Sequence, residues 1–307
     1  MEIKIYYPKD WEANGQMGYE VLDTGEGEKL EKFGPYTFVR PHENAIWPKT
    51  LSKKEWENID GKFWSSKVGA KPGWTFPNLP KSDIGKKWEM EYKGLKFLAS
   101  PTPFRHLGFF PEQASHWDFI ETQIKSAEVR LPQKVKFLNL FGYTGLASLF
   151  ALRAGAEVTH VDASKQSLQW AKENEDLSRG TLDGKTMRII EDDVMKFLAR
   201  EEKRGNKYDA VIMDPPKFGR GPKGEVWKIE EMLPKLLEQV KKVLSDKPLF
   251  VILTSYSTDS SPLNLAYALS ETMEGYSGEI EAGEMCVLEK SKARFISLAH
   301  TTIWQAK

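Results

Sequence analysis

From Lys134 onward, short apolar runs alternate with longer stretches whose apolar residues recur at helical spacing, the order expected of βαβ units. Val135–Leu140 predicts a strand and Gly145–Ala154 a helix; Glu157–Val161 predicts a second strand, and Ser164–Leu177 a helix with Leu168 and Ala171 inward. Thr186–Ile190 and Val194–Glu201 repeat the pair. Ala210–Met213 makes a fourth strand, Glu230–Leu244 a helix with Met232, Leu236, Leu237 and Val240 spaced for burial, and Leu249–Leu253 a fifth strand. After a helix at Leu263–Met273, two β-type runs, Ile280–Leu288 and Phe295–Trp304, flank the polar stretch EKSKAR. They read as a closing hairpin that adds antiparallel edge strands to an otherwise parallel sheet.

The first hundred residues follow a different pattern. They hold Trp11, Trp47, Trp56, Trp64, Trp74 and Trp88, and the short runs Tyr19–Leu22, Tyr36–Val39, Trp88–Tyr92 and Leu95–Ala99 predict strands between turns. Tryptophan supplies apolar area where helices are scarce, so these rings are expected in a core. Beyond TPFRHLGFF, Pro111 suits a first helical turn, and Trp117, Ile120 and Ile124 share one helical face. The expected organisation is a β-rich domain over 1–100, a linker and helix over 101–130, and an α/β domain over 131–307, a doubly wound, Rossmann-like sheet with an antiparallel C-terminal hairpin.

Composition narrows the function. Lys plus Arg total 44 and Asp plus Glu total 44, so a polyanion site must be a local patch. The single cysteine, Cys286, excludes an internal disulfide framework and a cysteine-rich zinc cage and fits a reducing compartment. Without a secretory pattern at MEIKIYYPKDWEANG or an apolar run near the roughly 20 residues that span a bilayer, the chain is expected to be soluble and cytoplasmic, with no membrane partner. The histidines His42, His106, His116, His160 and His300 show no metal-ligand spacing, so no metal is expected; His106 lies nearest the presumed cleft.

Four elements carry chemistry. The strand ending Asn139-Leu140-Phe141 turns through Gly142-Tyr143-Thr144-Gly145 into a helix, where glycines let the backbone approach a ligand. Asp162 ends the next strand, twenty residues after Gly142, where a carboxylate can accept both hydroxyls of a ribose. Glu191-Asp192-Asp193 follows the third strand; Asp193, just before the helix, is placed either to accept from an adenine amino group or simply to cap the helix. The fourth strand runs into Asp214-Pro215-Pro216-Lys217-Phe218, a turn presenting a carboxylate and prolyl carbonyls with no competing proline N–H. The candidate cofactor contacts are thus Asn139, Phe141, Gly142, Thr144 and Gly145; Asp162, Ala163 and Ser164; Asp192, Asp193 and Val194; and Asp214. A dinucleotide oxidoreductase would share parts of this pattern, yet only G-x-x-G is present where G-x-G-x-x-G is needed.

In this order and spacing the four elements resemble class I S-adenosylmethionine-dependent methyltransferases, and most nearly the group related to the large-subunit rRNA methyltransferase I, which modifies cytosine in 23S rRNA. YEVLDTGEGEKLEKFGPYTFVRPHENAIWP and FRHLGFFPEQASHWDF extend that likeness into the N-terminal part. The resemblance implies S-adenosylmethionine as cofactor, Phe110 and Gln113 beside its methionine end, and RNA as substrate. It also implies a cysteine in a Ser-Cys-Ser-like turn after the fifth strand, whose thiolate adds to a cytosine ring. Here that turn reads Thr254-Ser255-Tyr256-Ser257, and Cys286 sits in an apolar run as a small hydrophobe. Cytosine-C5 chemistry therefore does not transfer with the fold.

Asp214 and the Pro215 carbonyl, with Pro216 and Lys217 beside them, are the candidates to position a methyl acceptor, with no metal or acid–base pair needed. In amino-methylating relatives an aromatic follows the two prolines directly; Lys217 precedes Phe218 here. Lys217, Arg220, Lys223 and Lys228 cluster around GRGPKGEVWK, which reads either as a phosphate-binding loop with Trp227 as a stacking aromatic or as a solvated loop. A non-catalytic cofactor-binding protein and a methyltransferase for small molecules or proteins are the remaining readings.

Overall fold

The computed structural model describes residues 2–65, 71–129, 132–220, 224–256 and 261–307; the side chains of 12–14 and 220 lie outside the description. In chain order the elements begin with β1 (Ile3–Tyr6), β2 (Tyr19–Gly25), β3 (Glu28–Phe33), β4 (Tyr36–Pro41) and the short helix α1 (Lys53–Glu57). β5 (Gly61–Trp64), β6 (Gly73–Thr75), β7 (Trp88–Tyr92) and β8 (Leu95–Ala99) follow, then α2 (Ala114–Glu128). The second half runs β9 (Lys136–Leu140), α3 (Leu146–Arg153), β10 (Glu157–Asp162), α4 (Lys165–Leu177), β11 (Arg188–Glu191) and α5 (Val194–Arg204). It continues with β12 (Ala210–Met213), the two short strands β13 (Phe218–Arg220) and β14 (Val226–Lys228), and α6 (Ile229–Val243). β15 (Phe250–Ser255), α7 (Pro262–Thr272), β16 (Gly278–Leu288) and β17 (Phe295–Ala306) close the chain.

Two compact units result. One contains the strand ending at Tyr6, Ser115–Met285 and Leu298–Lys307; the other contains Tyr7–Ala114 and Cys286–Ser297.

The α/β unit is built on an eight-stranded sheet of order β1-β16-β17-β15-β12-β9-β10-β11. β10, β9, β12 and β15 pair in parallel, whereas β17 runs antiparallel to β15. Ala210–Met213 is buried throughout, as a strand covered on both faces requires. On one face Val211, Met213, Val251 and Leu253 pack with Phe197 and Leu198 of α5, Leu236 and Val240 of α6, and Leu265 and Leu269 of α7. On the other, Phe119 of α2 meets Phe250 at 5.3 Å between ring centroids, and Trp117 stacks on Phe150 of α3 at 5.2 Å. Helix starts follow local chemistry: Ser164 caps α4, Asp193 caps α5, and Ser261 caps α7 ahead of Pro262.

Two expectations need correction here. The C-terminal pair is not the sheet edge, because β1 pairs in parallel with β16, Ile3 to Tyr6 matching Ala282 to Met285. Four residues carry too little periodicity to reveal a partner nearly the whole chain away. The linear division at 100 and 131 is also crossed twice, since Ile3–Tyr6 joins the α/β sheet and Cys286–Ser297 joins the β-rich unit. Residues 130 and 131, at the expected boundary, lie outside the described residues.

The β-rich unit carries a five-stranded sheet, β2-β3-β4-β5-β6, and the β7–β8 hairpin. Its core is aromatic: Trp11 lies 4.5 Å from Tyr92, Tyr19 4.8 Å from Phe33, and Phe97 4.9 Å from Phe109. β3 reads as polar yet is largely buried, because Glu31 accepts from Tyr19 Oη at 2.6 Å and from Arg40 Nε at 2.7 Å, with Lys29 Nζ at 3.0 Å. Burial alone would push the Glu31 carboxyl up; Arg40 and Lys29 overcome it and hold it at about 2. The returning segment is stitched in by polar contacts, Ser291 Oγ donating to Asp23 at 2.6 Å and Thr24 Oγ1 to Glu289 at 2.6 Å.

Candidate functional site

Register decides the site. Leu140 of β9 lies beside Val161 of β10 and Met213 of β12, and Met213 lies beside Leu253 of β15. Phe141, Asp162, Asp214 and Thr254 therefore lie side by side at the carboxyl end of the sheet, where the strand order reverses between β9 and β12. Ligands of doubly wound sheets enter at that reversal. Two strand spacings separate Asp162 from Asp214, roughly 10 Å.

The turn after β9 is bent by backbone in the left-handed region, with φ of 58° at Phe141, 52° at Tyr143 and 88° at Gly145. Non-glycine residues held there mark a site where the surrounding structure imposes the conformation. Gly142 is required for a different reason: a Cβ would lie 2.2 Å from Cε1 and 2.4 Å from Nδ1 of His160. His160 is fully buried, its pKa lowered to about 4 by that burial, and its Nδ1 lies 3.0 Å from Ser148 Oγ. Asn139 Nδ2 donates to the same hydroxyl at 2.9 Å. Asn139, expected among the cofactor contacts, thus spends its buried side chain supporting the turn from below. Thr144 is buried too, its carbonyl accepting from Asn174 Nδ2 at 2.9 Å.

Asp162 is half-buried at the end of β10. Tyr143 N–H donates to its Oδ2 at 2.9 Å and Ser164 N–H to its Oδ1 at 2.8 Å, with a further backbone bond from Ala163. Burial raises its pKa despite those donors. The carboxylate is aimed by three amides, and carboxylate oxygens have lone pairs left for ligand hydroxyls. Tyr143 stays a neutral phenol, pushed up to about 12 by burial and by Asp162.

At the next strand end, Asp192 accepts from Asp193 N–H at 2.9 Å and is ion-paired with Arg200. Asp193 caps α5, its Oδ1 accepting from Lys196 N–H at 3.0 Å. Capping and ligand binding are compatible here, because the cap uses one oxygen. The Val194 side chain lies in the core, so only its backbone can face a ligand. That N–H belongs to the first turn of a helix, where no intrahelical acceptor exists.

Asp214 is half-buried, Pro215 buried, and Pro216 and Lys217 exposed. The Pro216 carbonyl accepts from Trp227 Nε1 at 2.6 Å, and the Trp227 ring sits 5.0 Å from that of Phe141. This corrects the reading of Trp227 as a stacking aromatic at the end of a basic loop: the β13–β14 pairing turns it inward, opposite Gly219. The sequence singled out this residue but not its direction, since an indole beside lysines carries no signal of which way a hairpin will turn it. Lys223 lies outside the described residues, as does the side chain of Arg220.

Tyr256 directly follows β15, and Ser257 lies outside the described residues. Cys286 is buried. Phe110 and Gln113 belong to the β-rich unit, Phe110 with its ring 4.9 Å from that of His106 and Gln113 buried. Burial lowers the His106 pKa to about 3. Among the described residues no cluster of metal-ligating side chains occurs and no helix is long and apolar enough to cross a membrane.

A glycine turn, an aimed aspartate at the second strand end and an acidic-prolyl turn at the fourth define a Rossmann-like domain for a nucleoside cofactor. A solved S-adenosylmethionine-dependent methyltransferase from Agrobacterium tumefaciens is 38% identical, with a TM-score of 0.89 over 100% of this chain and 94% of that one. The chain belongs to the S-adenosylmethionine-dependent methyltransferases, which removes the oxidoreductase reading. A methyltransferase from Streptococcus mutans shares the fold at 15% identity, with a TM-score of 0.71 over 95% of this chain and 76% of that one. Ribosomal RNA large subunit methyltransferase I of Aeromonas salmonicida is 32% identical over 130 residues, 42% of this chain and 30% of that protein. The same-named protein of an Escherichia coli strain matches over the same shares. The matched region thus spans less than a third of these relatives. No family model matches the chain.

Proposed function

We propose that this protein transfers a methyl group from S-adenosylmethionine to a heteroatom, most simply a nitrogen, of a base in RNA. The observation that carries the reading is the alignment of strand ends, with Asp162 and Asp214 on either side of the strand that runs into the glycine turn.

The residues fit the cofactor. Asp162, held by amides from Tyr143, Ala163 and Ser164, takes the ribose hydroxyls. The second oxygen of Asp193 accepts from the adenine amino group while the Val194 N–H donates to the adjacent ring nitrogen, with Asp192 holding that loop through Arg200. The backbone from Phe141 through Gly142 and Thr144 to Gly145 borders the methionine end, supported by Asn139 below. When bound, the cofactor supplies an electrophilic methyl on a sulfonium.

The protein's part is alignment. Asp214 and the Pro215 carbonyl accept hydrogen bonds from the acceptor's N–H, which raises electron density on the attacking nitrogen. The Pro216 carbonyl is taken by Trp227, which leaves Pro215 for the acceptor. Lys217 at the exposed rim offers a cation to a phosphate. A methylated nitrogen sheds its proton toward Asp214 or water. Tyr256, where the resemblance places a cysteine, provides no thiolate, and a heteroatom acceptor needs none.

RNA is chosen because the rRNA methyltransferase matches and the basic stretch around β13 and β14 agree. Transfer of labelled methyl to total RNA, protein extract and small metabolites tests it, with methyl-nucleoside maps of rRNA from cells with and without the protein. Label in RNA and one changed rRNA nucleoside are expected. Label confined to protein or metabolites overturns the substrate, and cofactor binding without any label overturns catalysis.

A further inference from the structure

The ribbon formed by β13 and β14 has two faces of opposite character. Phe218 pairs with Lys228, Gly219 with Trp227 and Arg220 with Val226. Alternation along each strand puts Trp227 on one face and Phe218 and Val226 on the other. Trp227 is only 7% exposed and anchors its face to Phe141 and the Pro216 carbonyl. The opposite face leaves Phe218 57% and Val226 54% exposed. Lys228 is exposed beside Phe218 with its ammonium 2.9 Å from Glu231, Lys217 is exposed just before it, and the ribbon's Glu225 is neutralised by Lys196. A large aromatic ring and a branched apolar side chain are thus held in water beside two lysines, on a ribbon that starts four residues after Asp214. Apolar groups presented this way on an anchored element mark a contact surface.

We infer that this outer face is the platform for a single-stranded stretch of the RNA substrate: Phe218 stacks on an unpaired base at or next to the methylated nucleotide, Val226 packs against its edge, and Lys217 meets the backbone phosphate. The inference deepens the RNA reading above and rests on it. Aromatic stacking selects unpaired bases because a duplex hides their faces, while the cations supply the sequence-independent attraction. Phe218 is here a positioning residue that orients the acceptor and takes no part in the bond changes.

Phe218→Ala and Phe218→Trp, made in the full chain, test it. Circular dichroism and calorimetric titration with S-adenosylhomocysteine should match the unaltered protein for both, because the outer face touches neither core nor cofactor turn. Fluorescence anisotropy with an unstructured RNA oligonucleotide and with its duplex should show preference for the single strand, a loss of about five- to a hundredfold for the alanine variant, and recovery for the tryptophan variant. In methyl transfer the KM for RNA should rise more than kcat falls. Unchanged RNA affinity and KM in Phe218→Ala, with transfer to RNA persisting, overturns the platform and leaves the RNA reading standing. A preference for duplex also overturns the platform. Absence of transfer to any RNA by the unaltered protein overturns the RNA reading itself, and dependence of protein labelling on Phe218 then assigns the face to a polypeptide substrate.

Discussion

Asp162 shows how one side chain is tuned by its neighbours. Three amides aim it and favour its charged form, while burial works in the other direction and wins, raising its pKa. In the proposed role the charged form accepts the ribose hydroxyls, so cofactor affinity is expected to fall as pH drops through that raised pKa, at a higher pH than an ordinary carboxylate would require. Calorimetric titration from neutral to mildly acidic pH checks the direction, and Asp162→Asn should weaken binding about tenfold or more at neutral pH while flattening the profile. Asp214 should behave in the opposite way. Asp214→Asn is expected to leave cofactor affinity within a few fold and to lower kcat by about a hundredfold, a split that single-turnover transfer with labelled cofactor resolves. That Asp162 ends the second strand was legible in the sequence, because the apolar run before it is a local signal. The roles of Asn139 and His160 were not, since a buried polar side chain names its partner only once α3 has been folded over it.

At the scale of elements, the strands and helices of the parallel core match their sequence signals to within a few residues, because continuous apolar runs and 3.6-residue spacing are local properties. Ala210–Met213 agrees residue for residue. Elements stabilised by distant partners were not legible. β3 escapes because its charged residues are buried in an ion cluster, and β1 because its partner strand lies near the other end of the chain. The β13–β14 ribbon escapes because only the pairing of Gly219 with Trp227 tells its faces apart. Its inner bond has a measurable role: Trp227→Phe keeps the ring against Phe141 but strips the donor from the Pro216 carbonyl, and the loss of such a hydrogen bond costs about 0.5 to 1.5 kcal/mol. A lower melting temperature and slower transfer are expected, with cofactor affinity less affected than kcat.

At the scale of the whole molecule, each unit is assembled from segments far apart in sequence. The β-rich unit depends on a buried charge set, and its acid sensitivity follows. Glu31 is held at about 2, below its ordinary 4.5, so the stability it contributes is complete above about 4.5 and is lost as pH falls from there toward 2. Glu31→Gln leaves Arg40 and Lys29 without their carboxylate and should destabilise the unit by about 3 to 5 kcal/mol. Urea denaturation followed by the fluorescence of its many tryptophans, with and without the substitution and at neutral and acid pH, measures both effects.

The return of Cys286–Ser297 to the β-rich unit and the pairing of Ile3–Tyr6 with β16 also set a timetable for biosynthesis. At about 5–20 residues per second, the opening strand leaves the ribosome on the order of tens of seconds before its partner exists. The leading unit likewise waits for its stitch at Ser291 until that residue has been made. Neither half can mature before these returning residues are made, and until then the nascent chain carries an unfinished sheet edge, the interval in which a chaperone would have most to shield.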